Sequence, residues 1–286
     1  MNNFKLKPIT FLLIIVILIV SCVSVYGQNS LFNDVTERHW AYESISKING
    51  MGHMIGKGTP NGVVFDPNGE ITGLEMYMTL WRIANTPEPV TENKPFVELN
   101  SDVKNQWYTD PYEWAMYSGI ANVTWRLGDS GDVPDGGIVT GRIGSAIQPA
   151  DELKYVMSNE SFARNYATRT DVILSLYYYV TTYLDMDVSV GADMSMFSDW
   201  DIANIEGEDD EPSTKLEYGS ILWTYSDEMI PAWKWAVSSG IIKGCSDGTL
   251  QMGEYDRANQ TRRYVTRAEY ATILNRFIEY LDTLKI

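Results

Sequence analysis

Apolar side chains return every three or four residues in several stretches of the chain, the spacing of one face of an α-helix. In the first stretch, about 40–51, the apolar positions are Ala41, Ile45, Ile48 and Met51. Near the end of the chain a broader apolar face follows Thr266, formed by Tyr270, Ile273, Leu274, Phe277, Ile278 and Leu281. These patterns predict amphipathic helices that bury one face.

Turn and capping residues indicate where these helices begin and end. Glycine, which favours the left-handed C-terminal cap, follows three predicted first helices at Gly52, Gly119 and Gly240. Pro231 is expected in the first turn of the third of these helices. Each predicted second helix opens with a threonine three residues before an acid, the pattern of a capping box. The three pairs are Thr72 with Glu75, Thr168 with Asp171, and Thr266 with Glu269.

The two predicted helices form a unit that occurs three times. The capping acids at positions 75, 171 and 269 are almost evenly spaced, which is typical of an internal repeat. We predict repeats at residues 31–85, 96–183 and 197–282, with an insertion at about 124–166 inside the second. Each repeat begins with an aspartate that is expected to cap the turn before its first helix: Asp34, Asp102 and Asp199. The fold class predicted is therefore mainly α, with three helix-loop-helix repeats.

The N-terminal residues are typical of a secretory signal. Lys5 and Lys7 precede an uncharged apolar run at 11–20, and small and polar residues follow. The run is too short to span a bilayer, which takes about 20 residues. We predict cleavage after Gly27 and secretion to the cell surface or wall; the alternative is a lipobox that leaves Cys22 lipidated and the protein lipid-anchored. Cys245 is then expected to be a structural thiol.

Composition excludes one large class of partners. The net charge of the 286-residue chain is -16, whereas nucleic-acid binding requires a basic face. At 44% hydrophobic and 21% charged residues the chain can build a packed core and is not typical of a disordered protein.

Taken together, the motifs resemble the S-layer homology (SLH) domain family. The first repeat contains Phe32-Asn33-Asp34-Val35, His39-Trp40-Ala41-Tyr42-Glu43 and Phe65-Asp66-Pro67-Asn68. The third contains the family's Thr-Arg-Ala-Glu motif intact, at 266–269. The second departs from it, with Thr170-Asp171 in place of Ala-Glu, and in the first Gly73 occupies the position of the motif arginine.

This resemblance implies a pseudo-threefold, mostly helical spindle. SLH triplets anchor exported proteins to secondary cell wall polymers, often pyruvylated, in Gram-positive bacteria. The ligand lies in grooves between adjacent repeats, which the motif arginine lines. The implied partner is thus an anionic wall glycan, either secondary polymer or peptidoglycan. The groove that would use position 73 has lost its arginine.

The residues themselves also favour an anion site. A helix N-terminus carries unpaired N–H donors and partial positive charge, and an arginine there adds a fork that fits a carboxylate or phosphate. Arg169 and Arg267 occupy that position. The other candidate ligand-binding residues are Thr168, Thr266, Asp171, Glu269, Trp40, Trp107, Trp233, Asp34, Asp102 and Asp199.

Each candidate has a structural alternative. The threonine–acid pairs are first of all helix caps, Arg267 could pair with an acid of a neighbouring repeat, and most tryptophans are expected in the core. Arg82 and Arg276, seven residues beyond a capping acid, are expected to be solvated or paired.

No catalytic site, metal or cofactor is predicted. The Gly- and Asp-rich stretch 129–137 does not match the EF-hand order and is read as a turn. Two alternatives to wall binding are an adaptor that assembles with S-layer or other exported proteins, and a wall-active enzyme with its site in the insertion.

Overall fold

The computed structural model describes residues 32–99, 101, 104–126, 138–143, 155–158, 164–200, 226–252, 255–256 and 261–284. The predicted signal at 1–27, with Cys22, lies outside these residues, as does Asp102. The described part is mostly helix and loop, which agrees with the mainly α class in its broad form. None of its helices is long and apolar enough to cross a membrane.

Six α-helices form three pairs within the described residues. The first helices are α1 (Tyr42–Gly50), α3 (Thr109–Tyr117) and α5 (Ser226–Ser238). The second helices are α2 (Gly73–Ile83), α4 (Arg169–Tyr178) and α6 (Arg267–Thr283). A π-helical turn, Tyr179–Tyr183, continues α4.

The helices pack between pairs in a cyclic order. The first helix of each pair lies against the second helix of another: α3 against α2, α5 against α4, and α1 against α6. Because α1 packs on α6, the ring of contacts closes on itself. Its apolar interior includes Trp114, Trp235 and Phe277, each almost fully buried.

The backbone segments that enter the second helices repeat this cyclic order. The amide of Ile71 donates to the carbonyl of Val265, Val265 to Ala167, and Ala167 to Ile71, at 3.0, 2.8 and 2.8 Å. All three side chains are fully buried. Three extended segments therefore meet at one point, and each places the N-terminus of its helix beside a neighbouring pair.

A sheet accompanies the helices and was not predicted. Strands β1 (Lys57–Thr59) and β2 (Gly62–Val64) form a hairpin. Strands β3 (Phe96–Glu98), β4 (Asn122–Arg126), β5 (Ile138–Arg142) and β6 (Tyr155–Ser158) form a sheet in the order β3-β6-β4-β5. Strands β7 (Tyr255–Asp256) and β8 (Thr261–Arg262) form a second hairpin. The part of the insertion that the structure describes is thus mostly β-structure.

The structure confirms the predicted glycine caps of the first helices but not the predicted position of the proline. Gly52, Gly119 and Gly240 have φ of +78°, +72° and +76° and follow α1, α3 and α5, as predicted for C-terminal caps. Pro231 was expected in a first helical turn, but it lies inside α5, which begins five residues earlier.

Candidate binding grooves between the helix pairs

All three second helices begin with a complete capping box. The hydroxyls of Thr72, Thr168 and Thr266 accept the backbone N–H three residues on, at 3.2, 3.2 and 3.3 Å. Each acid accepts the threonine N–H in return, at 2.7–3.0 Å. The capping interpretation is confirmed. Thr168 and Asp171 are almost fully buried, which leaves no surface for the ligand contact also predicted for them.

Arg267 donates three hydrogen bonds to residues of the first helix pair. Its Nη1 donates to Glu75 Oε1 at 2.9 Å, Nε to the carbonyl of Phe65 at 2.8 Å, and Nη2 to the carbonyl of Ile55 at 3.0 Å. The residue is 4% exposed, and its guanidinium lies 5.0 Å from the centroid of the Phe65 ring. Its three nitrogens join the first and third helix pairs, so the alternative that Arg267 pairs with an acid of a neighbouring repeat is confirmed, and its contact with a ligand stays a prediction.

A pocket of about 160 Å³ lies above this ion pair. We call it the Arg267 groove, and its lining residues are Met54, Ile55, Gly56, Lys57, Ile71, Glu75, Met78, Thr79, Arg82, Trp107 and Arg267. It is smaller than the roughly 300–1,000 Å³ of a pocket for a drug-sized ligand. It therefore suits one chemical group of a larger ligand.

Arg82 supplies a second guanidinium to this groove. It is half-buried on α2, and its Nη1 donates to the carbonyl of His53 at 3.1 Å. Burial lowers the pKa of Arg82, and burial followed by the charge of Arg82 lowers the pKa of His53. Arg82 was expected to be solvated or paired, and its position in the lining of the groove was not predicted.

Arg169 occupies the corresponding position in what we call the Arg169 groove, between α4 and the loop 241–245. The correspondence is geometric, since Ala268 donates its N–H to the carbonyl of Pro67 at 3.0 Å and Thr170 donates to Met252 at 3.1 Å. Arg169 is half-buried, and its Nη1 donates to the Cys245 thiol at 3.1 Å. Its Nε is buried without a hydrogen-bond partner among the described residues.

Arg276 corresponds to Arg82. It is half-buried on α6, and its Nη1 donates to the carbonyl of Ile241 at 3.3 Å. Burial lowers the pKa of Arg276, and the nearby charge of Arg169 lowers it further. The spacing of seven residues from Glu75 to Arg82 and from Glu269 to Arg276 is the sequence signal that marks both as groove residues.

The third inter-pair position, which we call the Gly73 groove, is occupied by side chains of the protein itself. Tyr178 lies on α4 at the position that Arg82 has on α2. The guanidinium of Arg142, on β5, lies 3.3 Å from the centroid of the Tyr178 ring. Arg142 is 6% exposed and donates from Nη1 to the carbonyl of Gly119 at 3.0 Å. The insertion therefore provides a guanidinium next to a first-helix C-terminus, as Arg82 does elsewhere.

Asp34 and Asp199, the two lead-in aspartates that the structure describes, do not cap the first helices. Asp34 accepts the N–H groups of Phe65 and Asp66 at 2.8 and 2.7 Å. Asp199 accepts those of Leu250 and Gln251, at 2.7 and 2.8 Å. The predicted capping role is wrong, because both carboxylates instead brace the turn before a second helix, where residues 66 and 251 have positive φ. The residue before α1, Ala41, provides no side-chain cap.

The three candidate tryptophans separate into two environments. Trp40 and Trp107 are 66% and 60% exposed, and Trp107 borders the Arg267 groove. Trp233 is fully buried, and its indole donates to Thr170 Oγ1 at 3.3 Å, so its ring cannot stack on a ligand. It precedes its capping glycine by seven residues rather than twelve, which is the place of Ile45 in the first pair.

Comparison with known proteins finds a family match for one part of the chain. The family model of the S-layer homology domain matches residues 31–76. No curated protein matches the chain. The resemblance to the SLH family is confirmed over this stretch, which contains α1, the first hairpin and the capping box of α2. SLH domains generally associate with the cell wall or cell surface and bind cell wall polymers.

Proposed function

We propose that the protein is a non-catalytic wall-binding protein that docks onto an anionic secondary cell wall polymer through its inter-pair grooves. The observation that carries the proposal is the Arg267 groove, about half of whose lining residues lie on the segment matched by the SLH family model. Its floor combines buried apolar atoms with guanidinium and carboxylate groups, and Trp107 offers an exposed indole face at its edge. Such a mixture suits a sugar that carries a charged substituent.

The cyclic contacts support a pseudo-threefold arrangement of three repeats. Each groove would form where the N-terminus of one second helix meets the next pair, so a complete ring is needed to build any of them. Two grooves keep their arginines and have space or unpaired donors, whereas the Gly73 groove is occupied by Arg142. The proposal is therefore of two binding grooves out of three.

The carboxylates next to the grooves support a binding role rather than catalysis. Glu75 and Glu269 each hold a capping box with one oxygen and an arginine with the other. A general acid or base needs a titratable oxygen free to reach the substrate.

Co-sedimentation with purified cell-wall sacculi tests the proposal. Half of the sacculi would be stripped of secondary polymer by acid, and the mature chain would be added to both. Binding to intact but not to stripped walls is the expected result. Equal binding to both would move the target to peptidoglycan. Absence of binding to either would contradict the proposal and favour the adaptor alternative, with an exported protein as partner.

A further inference from the structure

Three residues at the centre of the ring lie outside the inter-pair grooves and remain accessible. Each directly precedes one of the three buried residues whose backbones exchange hydrogen bonds at the meeting point of the helix pairs. β-bridges place residue 70 opposite Thr266 and residue 166 opposite Thr72, in the same cyclic order as the helices. We call these three residues the axial face; they are Glu70, Tyr166 and Tyr264.

The two tyrosines of the axial face contact each other where the second and third helix pairs meet. Their ring centroids are 5.6 Å apart, and the rings are inclined at 57°. Tyr166 is 47% exposed and Tyr264 is half-buried. The backbone that carries them is fixed by the central hydrogen bonds of 2.8–3.0 Å. An aromatic surface that is already rigid loses little conformational entropy when it binds, which favours a role in recognition.

The charge of the axial face disfavours an anionic occupant. Glu70 is exposed and forms no ion pair within the part of the chain that the structure describes. The nearest cation along the chain, Arg263, precedes Tyr264 and is paired with Glu269. The face therefore presents two phenol rings and one carboxylate, which accepts hydrogen bonds from hydroxyl groups and repels carboxylates and phosphates.

The axial face adjoins the Arg267 groove. Ile71 belongs to the lining of that groove and also to the central backbone segments, and it is bonded directly to Glu70. The groove, at about 160 Å³, accommodates one chemical group, so the other units of a bound polymer have to lie on the adjoining surface.

The size of the axial face indicates a sugar rather than a protein as its occupant. A stable protein interface buries about 1,200–2,000 Å², far more than two tyrosine rings and a carboxylate can offer. A sugar ring matches this area, because its C–H groups pack on an aromatic face while its hydroxyls donate to polar neighbours.

We propose that the axial face binds an uncharged sugar unit of the wall glycan, which packs on Tyr166, touches Tyr264 and donates hydroxyl hydrogen bonds to Glu70. This inference rests on the proposed wall binding and adds a subsite that lies outside the inter-pair grooves. It also gives a function to two tyrosines that precede the capping boxes and take no part in them.

Hydroxyl-radical footprinting of the mature chain, read by mass spectrometry, tests for contact at this face. The probe is secondary polymer released from sacculi by acid. Bound polymer should lower the oxidation rate of Tyr166 at least about threefold, because a bound ligand covers most of the surface that it contacts. Phe96, an exposed ring on β3, is the control and should be oxidised at an unchanged rate.

Trp107, at the edge of the Arg267 groove, separates failure of this inference from failure of the proposed function. Polymer should protect Trp107 together with Tyr166. Protection of Trp107 without Tyr166 would overturn the axial subsite and leave wall binding intact. Protection of neither residue, with no sedimentation on intact sacculi, would contradict both.

Substitutions at Tyr166 test whether the aromatic face makes the contact. Tyr166→Ala should weaken binding to intact sacculi about fivefold, whereas Tyr166→Phe and Tyr166→Trp should change it less than about twofold. Phe96→Ala is the matched control and should bind as the wild type does. Since packing on a ring is not screened by salt, the loss in Tyr166→Ala should be the same at about 50 and about 500 mM NaCl. Equal losses in Tyr166→Ala and Tyr166→Phe would overturn the inference.

Glu70→Lys tests whether the bound unit is uncharged. The ammonium group cannot accept hydrogen bonds, so we expect binding about threefold weaker at every salt concentration. Stronger binding at low salt would place an anionic substituent at the axis and would contradict the proposal.

Sedimentation velocity of the free chain tests a second copy as the occupant. The wild type and Tyr166→Ala should sediment alike. A dimer that Tyr166→Ala converts to a monomer would show that the axial face joins copies of the chain and would overturn the sugar subsite.

Discussion

Identical positions in a motif can serve different ends, as the two motif arginines illustrate. Arg267 is buried and donates a hydrogen bond from each of its three guanidinium nitrogens, whereas the buried Nε of Arg169 has no hydrogen-bond partner among the described residues. The difference comes from their neighbours, because Arg267 faces the Glu75 carboxylate and two carbonyls, whereas Arg169 faces a thiol. Arg267 is therefore a structural residue, and its replacement should be judged by stability before binding.

Arg267→Ala should lower the free energy of unfolding by about 3 kcal/mol, because removing one partner of a buried ion pair leaves the other uncompensated. Urea denaturation of the mature chain measures the change. Lys57→Ala breaks the exposed pair with Asp66 and should cost less than about 1 kcal/mol. Equal effects of the two substitutions would contradict the structural role assigned to Arg267.

Local residue roles could be predicted from the sequence and long-range ones could not. The capping boxes follow from a threonine and an acid three residues apart, and all three are present. The pair of Arg267 with Glu75 spans 192 positions, and no periodicity encodes such a contact. Trp233 was grouped with Trp40 by residue type, although its distance from the capping glycine places it in the core.

At the scale of the element, the three first helices end in the same way within different surroundings. A Cβ at Gly240 would meet nothing within 4 Å, whereas a Cβ at Gly119 would lie 2.6 Å from the carbonyl oxygen of Ile143 and 2.9 Å from Thr182 Cγ2. The C-terminus of α3 is thus covered by the insertion and by the turn after α4, while no described residue lies against Gly240 in this way.

Gly240→Ala should cost about 1–2 kcal/mol, the price of a left-handed conformation for a residue with a Cβ. Gly119→Ala has nearly the same φ, so any further loss measures the clash with Ile143, and we expect at least about 1 kcal/mol more. Chemical denaturation of both variants gives the comparison. Equal losses would mean that the backbone of the insertion yields easily at this point.

The helices of this protein could be predicted and its sheet could not. Helical periodicity and caps lie within single short windows of sequence. Strands β3 and β6 are three and four residues long and pair in parallel across the whole of α3 and the strands β4 and β5. Strands this short carry too few alternating positions to be distinguished from loop, and parallel pairing leaves no hairpin signal.

At the scale of the whole molecule, no helix pair is a self-contained unit. Each first helix buries its apolar face on a second helix from a different pair. The three backbone segments at Ile71, Ala167 and Val265 each donate to one neighbour and accept from the other. Opening one pair therefore exposes apolar surface on both of the others.

Native-state hydrogen exchange should accordingly find one opening free energy for the central amides of α2, α4 and α6. The hairpin β1–β2, whose strands are mostly exposed, should exchange through smaller local openings and serves as the internal reference. Exchange would be followed at increasing urea concentrations. Opening of one helix pair at a lower urea concentration than the others would show that the contacts between pairs are weaker than the ring implies.

A ring closed by α1 and α6 also restricts how such a chain can lengthen. An open solenoid gains a repeat at either end, because its last unit always exposes a face for the next. Here the first and last described helices, α1 and α6, already pack on each other, so a fourth pair could enter only by breaking the closure. New sequence can instead be accommodated between the two helices of a pair, and that is where β4, β5 and β6 lie. The closed ring of the described helices therefore favours three pairs, and we expect added sequence in the loops.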